Sequence, residues 1–446
     1  VQPRYHPPEA GRYPRKERRV TQPEDHPLRY ELANELHARP FPTLTAPCHA
    51  VFLAIKRPEE AASRDKAEDR AHLIKLLDRF GSSHPKEGAT HYFGPLGRHR
   101  IKWECHTEFV TYTVFADGIM SQPFDGGAFK VFPQDWLAEA PGKRLTSILV
   151  RIESHDGDEE DIGLRTGDWF ESDSVAIARV LDDSAVVATD FRIDPTGHVR
   201  FAVFARPETG SRRLGRIVQR LLEIETYKSM SMLGLPVARQ LGQRMNGQEG
   251  LLAELVAGMT RAETPAEPSL HALLEVSAEL EQMLARHGFR FGATAAYSTI
   301  VNQRIEALRE TRFHGRQTLG EFMMRRFDPA IRTCESTNVR LEKLAERAKR
   351  AGDLLRTRVD VERSAQNQSL LESMDRRADL QLRLQKTVEG LSVVAISYYA
   401  VNLVSYLLFP AAEGLGLDKT GLTGLITLPV VGGVWLMVRR IRRSME

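Results

Sequence analysis

Leu391–Pro410 reads LSVVAISYYAVNLVSYLLFP, and Gly421–Val438 reads GLTGLITLPVVGGVWLMV. Neither stretch carries a charged side chain. A helix crosses the hydrocarbon core of a bilayer with about twenty apolar residues. Each stretch therefore predicts a transmembrane helix, the second at the short end of the range. The short linker between them predicts a helical hairpin with both ends on one side. Arg439, Arg440, Arg442 and Arg443 follow at once, and basic clusters beside a span stay cytoplasmic. The expected layout has both termini and the main domain in the cytoplasm, with the lipid bilayer as partner of the C-terminal anchor.

Working outward, the 446 residues carry a formal net charge of only +3. Setting the anchor aside leaves about 390 residues, enough for one α/β core and a helical part. Acidic and basic residues alternate, and no aromatic residues interleave with a basic stripe, so nucleic acid is not an expected partner. Cys48, Cys105 and Cys334 are far apart and form no CxxC, which fits a reducing compartment and argues against a disulfide scaffold or zinc ribbon. The N-terminal VQPRYHPPEAGRYPRKERR lacks the apolar core of a secretory signal.

The chain divides as follows. Residues 1–27, rich in Pro and Arg, form a flexible basic arm. Residues 28–207 form an α+β domain. Cys48–Lys56 is a strand, and Pro58–Phe80 a helix stopped by Gly81. Arg98–Glu104, Glu108–Phe115 and Leu145–Glu153 are further strands. Ser174–Leu181, Ala185–Ile193 and Val199–Phe204 form a meander with turns at Asp182-Asp183 and Pro195-Thr196-Gly197. Residues 208–390 form a helical stalk region: Arg212–Met232, then Ser269–Arg286 and Thr294–Thr311 separated by Gly288 and Gly292, then Thr318–Glu389 interrupted at Asp328-Pro329. Leu341, Leu344, Ala348, Ala351 and Leu355 follow coiled-coil spacing. Such a stripe on a helix of roughly 100 Å must pair with its neighbours in the chain, with other subunits, or both, and a homo-oligomer joined through the stalk and the transmembrane helices is the expected arrangement. Residues 391–438 hold the two spans, 391–410 and 421–438, and residues 439–446 a basic tail. The predicted fold class is thus an α+β cytoplasmic domain, a long helical stalk and a C-terminal two-helix transmembrane hairpin.

Three segments stand out: NELHARP (Asn34–Pro40), WECHTEF (Trp103–Phe109) and LLEIETY (Leu221–Tyr227). With the hairpin, they resemble a bacterial family of membrane-anchored proteins defined as domain of unknown function 3422. The resemblance covers nearly the whole chain and implies a location in the bacterial inner membrane. It implies no activity. The layout of domain, stalk and two closing spans also resembles the CorA-type magnesium transporters. Those carry Gly-Met-Asn at the end of the first span, where this chain has Leu408-Phe409-Pro410-Ala411-Ala412-Glu413-Gly414.

Candidate chemistry is sparse. In NELHARP, Asn34, Glu35, His37 and Arg39 bring a carboxylate, an imidazole and a guanidinium within a few residues. They suit either an acid–base or anion site or a buried salt-bridge knot, and the knot is the expected reading. In WECHTEF, Glu104, His106 and Glu108 alternate, so on one strand they would share a face with Cys105 on the other. With His99 nearby they could approach a divalent metal, but the spacing matches no metal signature, and no metal or cofactor is expected. Gly94-Pro95-Leu96-Gly97 and Gly126-Gly127 read as turns, and phosphate-loop, dinucleotide, zincin and serine-hydrolase motifs are absent. In the first span Tyr398, Asn402 and Ser405 fall on one face, as a pore lining or as helix-packing groups. Pro429 and Gly432-Gly433 in the second span suit close packing. The expected function is a non-catalytic, homo-oligomeric membrane-anchored protein for scaffolding or interaction. A CorA-like channel and a membrane-tethered enzyme using NELHARP and WECHTEF are the alternatives.

Overall fold

Cys48–Lys56 forms strand β1, and seven of its nine residues are buried. A strand apolar on both faces belongs in the middle of a covered sheet, and β1 is hydrogen-bonded on both edges. The computed structural model describes residues 24–35, 41–59, 61–259, 265–413 and 418–445. The sheet continues with β2 (His91–Leu96), β3 (His99–Cys105), β4 (Phe109–Asp117), β5 (Lys143–Ser154), β6 (Ala176–Val180), β7 (Ala185–Thr189), β8 (Val199–Ala205) and the short β9 (Thr311–Arg312). Its order is β2-β3-β4-β1-β5-β8-β7-β6-β9. Every described pairing is antiparallel except β5 with β8.

The helices are α1 (Arg29–Glu35), α2 (Lys66–Arg79), α3 (Gln134–Ala138), α4 (Glu159–Trp169), α5 (Ser211–Met232), α6 (Gly234–Met259), α7 (Ala266–Leu308), α8 (Leu319–Arg326), α9 (Asp328–Glu413) and α10 (Lys419–Met445). Two compact units result: Val1–Glu249 with Glu279–Ala345, and Gly250–Ala278 with Glu346–Glu446.

In the first unit the sheet has a core on each face. Ala50, Phe52 and Ala54 of β1 face a core that includes Leu214, Ile217, Leu221 and Ile224 of α5. Val51, Leu53 and Ile55, the alternate residues, face Leu73, Leu76 and Leu77 of α2 and Trp136 of α3. A fully buried Leu or Ile contributes about 1.5–3 kcal/mol, so the apolar face of α5 fixes that helix on the sheet. Asp65 caps α2 by accepting from the Ala67 N–H, which is why α2 starts later than Pro58. The three cysteines are buried and free. Burial pushes the Cys48 thiol up to about 12, with the Asp117 charge adding to the effect.

Several expectations need correction. Gly94 and Pro95 are not a turn: they lie in β2, an edge strand, where a proline N leaves no ladder bond unmade. Only Gly97, at φ 57°, makes the turn. Ser269–Arg286 and Thr294–Thr311 are not separate helices, because α7 runs through Gly288 and Gly292 without a break. Each glycine costs about 1 kcal/mol against alanine, too little to stop a packed helix. The helix expected over Arg212–Met232 is α5, Ser211–Met232, and Gly234 and Pro236 after it open α6, since proline is tolerated in a first turn.

On the stalk, the seam pairs with neighbouring helices of the same chain, one of the expected arrangements. Leu341 and Leu344 are buried in the first unit, where Arg340 reaches Asn246 and Glu249 of α6. Ala348, Ala351 and Leu355 are buried in the second, where Gly352 lies against Leu273 and Arg358 donates to the Met259 carbonyl. Within the described residues the seam is covered by the chain's own α6 and α7. Farther along α9 the pattern reverses, and Leu370, Leu371, Met374, Leu380, Leu384 and Val388 are all exposed.

In the same unit the C-terminal part of α9 and the Lys419–Ile441 stretch of α10 are long and apolar enough to cross a membrane. Only 17% and 11% of their apolar windows are buried, unlike core helices of a soluble protein. The linker residues 414–417 lie outside the described residues.

Candidate functional site

The inward face of the sheet opposite α5 is not apolar throughout. On β3, Lys102 and Glu104 point to this face, and on β4 they stand opposite Thr113 and Thr111. Phe52 of β1 pairs with Thr113 and extends the row. From α5, Gln219, Leu222, Glu223, Thr226 and Tyr227 close over it, and Arg304 of α7 completes a cavity of about 250 Å³. Phe41, on the segment leading into β1, lines the remaining side. Gly215 lets that segment cross α5, because a Cβ there would lie 1.6 Å from the Pro42 carbonyl oxygen.

The polar groups of the wall form a chain. Glu104 pairs with Lys102 at 3.1 Å. Lys102 Nζ donates to Gln219 Oε1 at 2.9 Å, and Gln219 Nε2 donates to Glu223 Oε1 at 2.8 Å. Glu223 accepts in turn from Arg304. Two cations and two anions alternate through one amide, so buried charge is offset within the wall.

The WECHTEF turn is held from both sides by arginines. Arg64, itself buried, donates to the carbonyls of His106 at 2.7 Å and Phe109 at 2.9 Å, and to that of Thr107. It is fixed by Asp69 at 2.7 Å. On the other side Arg290 of α7 grips Glu108 with both terminal nitrogens, at 2.8 and 2.9 Å. The Tyr297 hydroxyl adds a bond of 3.1 Å to the same carboxylate, and Lys56 stands 3.9 Å away. Burial first, then the Glu108 charge, pushes the Tyr297 phenol well above its ordinary value. His106 stacks on Phe109 with centroids 4.3 Å apart, and Tyr227 stacks on Tyr297 at 5.5 Å.

Glu104, His106 and Glu108 therefore do not share one strand face. β3 ends at Cys105 and β4 starts at Phe109, so the alternation breaks in the turn. Glu104 and His106 line the cavity, whereas Glu108 is spent on Arg290. Cys105 does face the opposite core, beside Arg64 and Asp69. His99 falls at the far end of β3 and, by alternation, on the Cys105 face. Among the described residues no three His, Cys, Asp or Glu side chains gather as a metal site. His37 and Arg39, with the side chains of Asn34 and Glu35, lie outside the described residues. WECHTEF and LLEIETY, 118 positions apart at Glu104 and Leu222, meet as opposite walls of one cavity.

Sequence reading missed Lys102, Gln219 and Arg304. A usable signal was present: Thr111 and Thr113 interrupt the inward positions of the otherwise apolar β4, the same face of β3 carries Arg100, Lys102 and Glu104, and Gln219 interrupts the apolar face of α5.

Of the three polar residues on the apolar end of α9, Tyr398 is exposed, and the Asn402 amide donates to the Tyr398 carbonyl of its own helix at 3.1 Å. Ser405 is buried with Ser397 and Val401, one helical row. A groove of about 410 Å³ between the two apolar helices is lined by Ser397, Tyr398, Asn402, Thr423 and Thr427.

No curated protein matches the chain. A family model does, over residues 24–445, which takes in the sheet, the cavity, the long helix and both apolar helices, and so the chain belongs to the family described as protein of unknown function (DUF3422).

Proposed function

We propose that this chain is a non-catalytic protein anchored in the bacterial inner membrane by α10 and the end of α9, with its α+β domain serving scaffolding or interaction at the cytoplasmic face. One observation carries the reading. The two apolar helices cover only a narrow row of each other, and leave Leu391, Leu403, Leu407, Leu425, Leu428 and Leu436 uncovered. An apolar surface of that extent is unstable in water and ordinary in lipid. The non-catalytic reading is supported by the cavity wall, whose charges pair with each other, and by thiols that burial keeps protonated.

Self-association fits the exposed stretch of α9 from Leu370 to Val388, which replaces the Leu341–Leu355 seam as the surface for a second copy. A CorA-like channel would require Asn402 to face a conduit; its amide bond to its own helix supports packing instead. The test uses the full chain in liposomes and in cells. A reporter fused after Glu446 should be active in the cytoplasm, and magnesium, cobalt and potassium flux should stay at background. A periplasmic reporter signal would defeat the topology, and a flux abolished by Asn402→Leu would establish the channel instead.

A further inference from the structure

We propose that the cleft between α5 and the C-terminal end of α7 binds a phosphate-bearing ligand through Arg213, Arg216, Arg220 and Arg309. The first three fall at i, i+3 and i+7 of α5 and so share one helical face. Arg309 follows directly on Leu308, the last residue of α7. All four line a cleft of about 600 Å³, separate from the WECHTEF cavity, together with Leu181 and Glu306.

The protein supplies little to neutralise them. Arg213 donates to the Ser184 hydroxyl at 2.9 Å, and Arg220 to the Ala307 carbonyl at 2.8 Å. Both partners are neutral. Arg309 pairs with Asp182 at 2.7 Å on the exposed rim. Among the described residues Arg216 has neither an ion pair nor a side-chain hydrogen bond, and Glu306 pairs with none of the four. The nearby Glu223 is engaged by Arg304. Four guanidinium groups thus face one cleft with a single rim carboxylate paired to them. Like charges held this close repel unless an anion joins them. Arg220 registers the crowding: burial first, then the charges of Arg216 and Arg304, hold its proton less tightly than in an ordinary arginine.

The rim is also held in an unfavourable backbone conformation. Leu181, Asp182 and Asp183 are left-handed in succession, at φ 50°, 57° and 60°, and Arg309 across the cleft is at φ 49°. Aspartate tolerates this region in turns, but Leu181 and Arg309 do not favour it, and such positions gather where a ligand or switch is held. Here the Leu181 N–H bonds the Leu308 carbonyl at 2.8 Å, which ties the turn to the end of α7 and sets Asp182 against Arg309.

The ligand chemistry follows from the donors. Guanidinium forks match oxyanions bidentately, and four forks exceed what a lone carboxylate can accept. A phosphate monoester or diphosphate offers oxygens on several sides. A phospholipid headgroup and a soluble phosphate share this chemistry.

The experiment uses the full chain in phosphatidylcholine nanodiscs, with arginine-selective phenylglyoxal labelling mapped by mass spectrometry. Inorganic pyrophosphate, against sodium chloride of equal ionic strength, should slow labelling of Arg216 and Arg220 and leave the exposed Arg332 unchanged. Protection that instead requires phosphatidic acid in the disc would support the site and identify a headgroup as its occupant. In calorimetry, Arg216→Ala should weaken binding of the protecting probe by about tenfold, as for a lost charge-assisted contact. It should leave the unfolding midpoint alone, because Arg216 makes no internal bond. No protection by either probe, equal protection of Arg332, or undiminished affinity in Arg216→Ala would overturn the proposal.

Discussion

Gly215→Ala sets two ordinary effects against each other. Alanine is better than glycine in a helix interior by about 1 kcal/mol, so propensity alone predicts a more stable protein. The new Cβ would stand 1.6 Å from the Pro42 carbonyl oxygen and 2.7 Å from its carbon, where real Cβ contacts essentially never fall under 3.0 Å. The Pro42 segment must then retreat by at least roughly 1.4 Å, and its neighbour is backbone, not a yielding side-chain tip. Overpacking of this kind costs about 1–3 kcal/mol or more. The retreat also pulls on the Leu44 N–H bond to the Ser211 carbonyl, 3.1 Å long, worth about 1 kcal/mol. The balance is a net loss of roughly 1–3 kcal/mol once the helix gain is set against it. Gly242→Ala in α6 is the control: a Cβ there meets nothing within 4 Å, so the helix gain of up to about 1 kcal/mol should stand alone. Urea unfolding of the detergent-solubilised chain, followed by tryptophan fluorescence, compares the midpoints. A Gly215→Ala protein as stable as wild type would refute the claim that this glycine exists to admit the Phe41-Pro42 segment.

Arg290→Ala leaves the buried Glu108 carboxylate with only the Tyr297 hydroxyl and a distant Lys56; it should lower unfolding stability by about 3–5 kcal/mol, and a loss under about 1 kcal/mol, as for an exposed pair, would contradict that role. His72 is buried, bonded to the Tyr112 hydroxyl and Trp136 carbonyl, and burial holds its pKa below the ordinary 6.5. The unfolded chain therefore takes up a proton first, so this contribution is full above pH 6.5 and is lost as pH falls through the depressed folded value. Unfolding between pH 7.5 and 5 should show that slope reduced, though not abolished, in His72→Gln, since His198 is shifted the same way. Leu355→Asp places a carboxylate in a seam closed by the chain's own helices, so its melting temperature should fall while subunit mass by light scattering stays constant; a change of mass at unchanged melting would restore the intermolecular seam. Asn402→Leu should leave liposome permeability at background and lower stability in detergent by no more than about 0.6–2 kcal/mol.

Much of the fold was legible where one physical signal dominated. β1 and α5 announce themselves through apolar periodicity and sharp ends, and the two apolar helices through the absence of charge. Reading failed where local and distant forces disagree. Gly288 and Gly292 favour a break that tertiary packing of α7 overrides, and Gly94-Pro95 favours a turn that an edge strand tolerates. The two residues of β9 carry no local pattern at all. The Leu341–Leu355 seam was legible as a seam, but its partner was not, because periodicity states that a face is covered and never by which chain. The cavity was half legible for a related reason. WECHTEF and LLEIETY stand out singly, whereas Lys102, Gln219 and Arg304 gain meaning only once the sheet register places them side by side.

The outermost strand has a consequence for biosynthesis. β9 reaches the sheet from far along the chain: Arg312 accepts from Arg179 across 133 positions. Until the ribosome has delivered that residue, the free edge of β6 offers unpaired N–H and C=O groups to any passing strand. During that interval α5, α6 and α7 are made in full, at roughly 5–20 residues per second. The nascent domain thus spends on the order of ten seconds with an open sheet margin, a window in which a holding chaperone has most to protect.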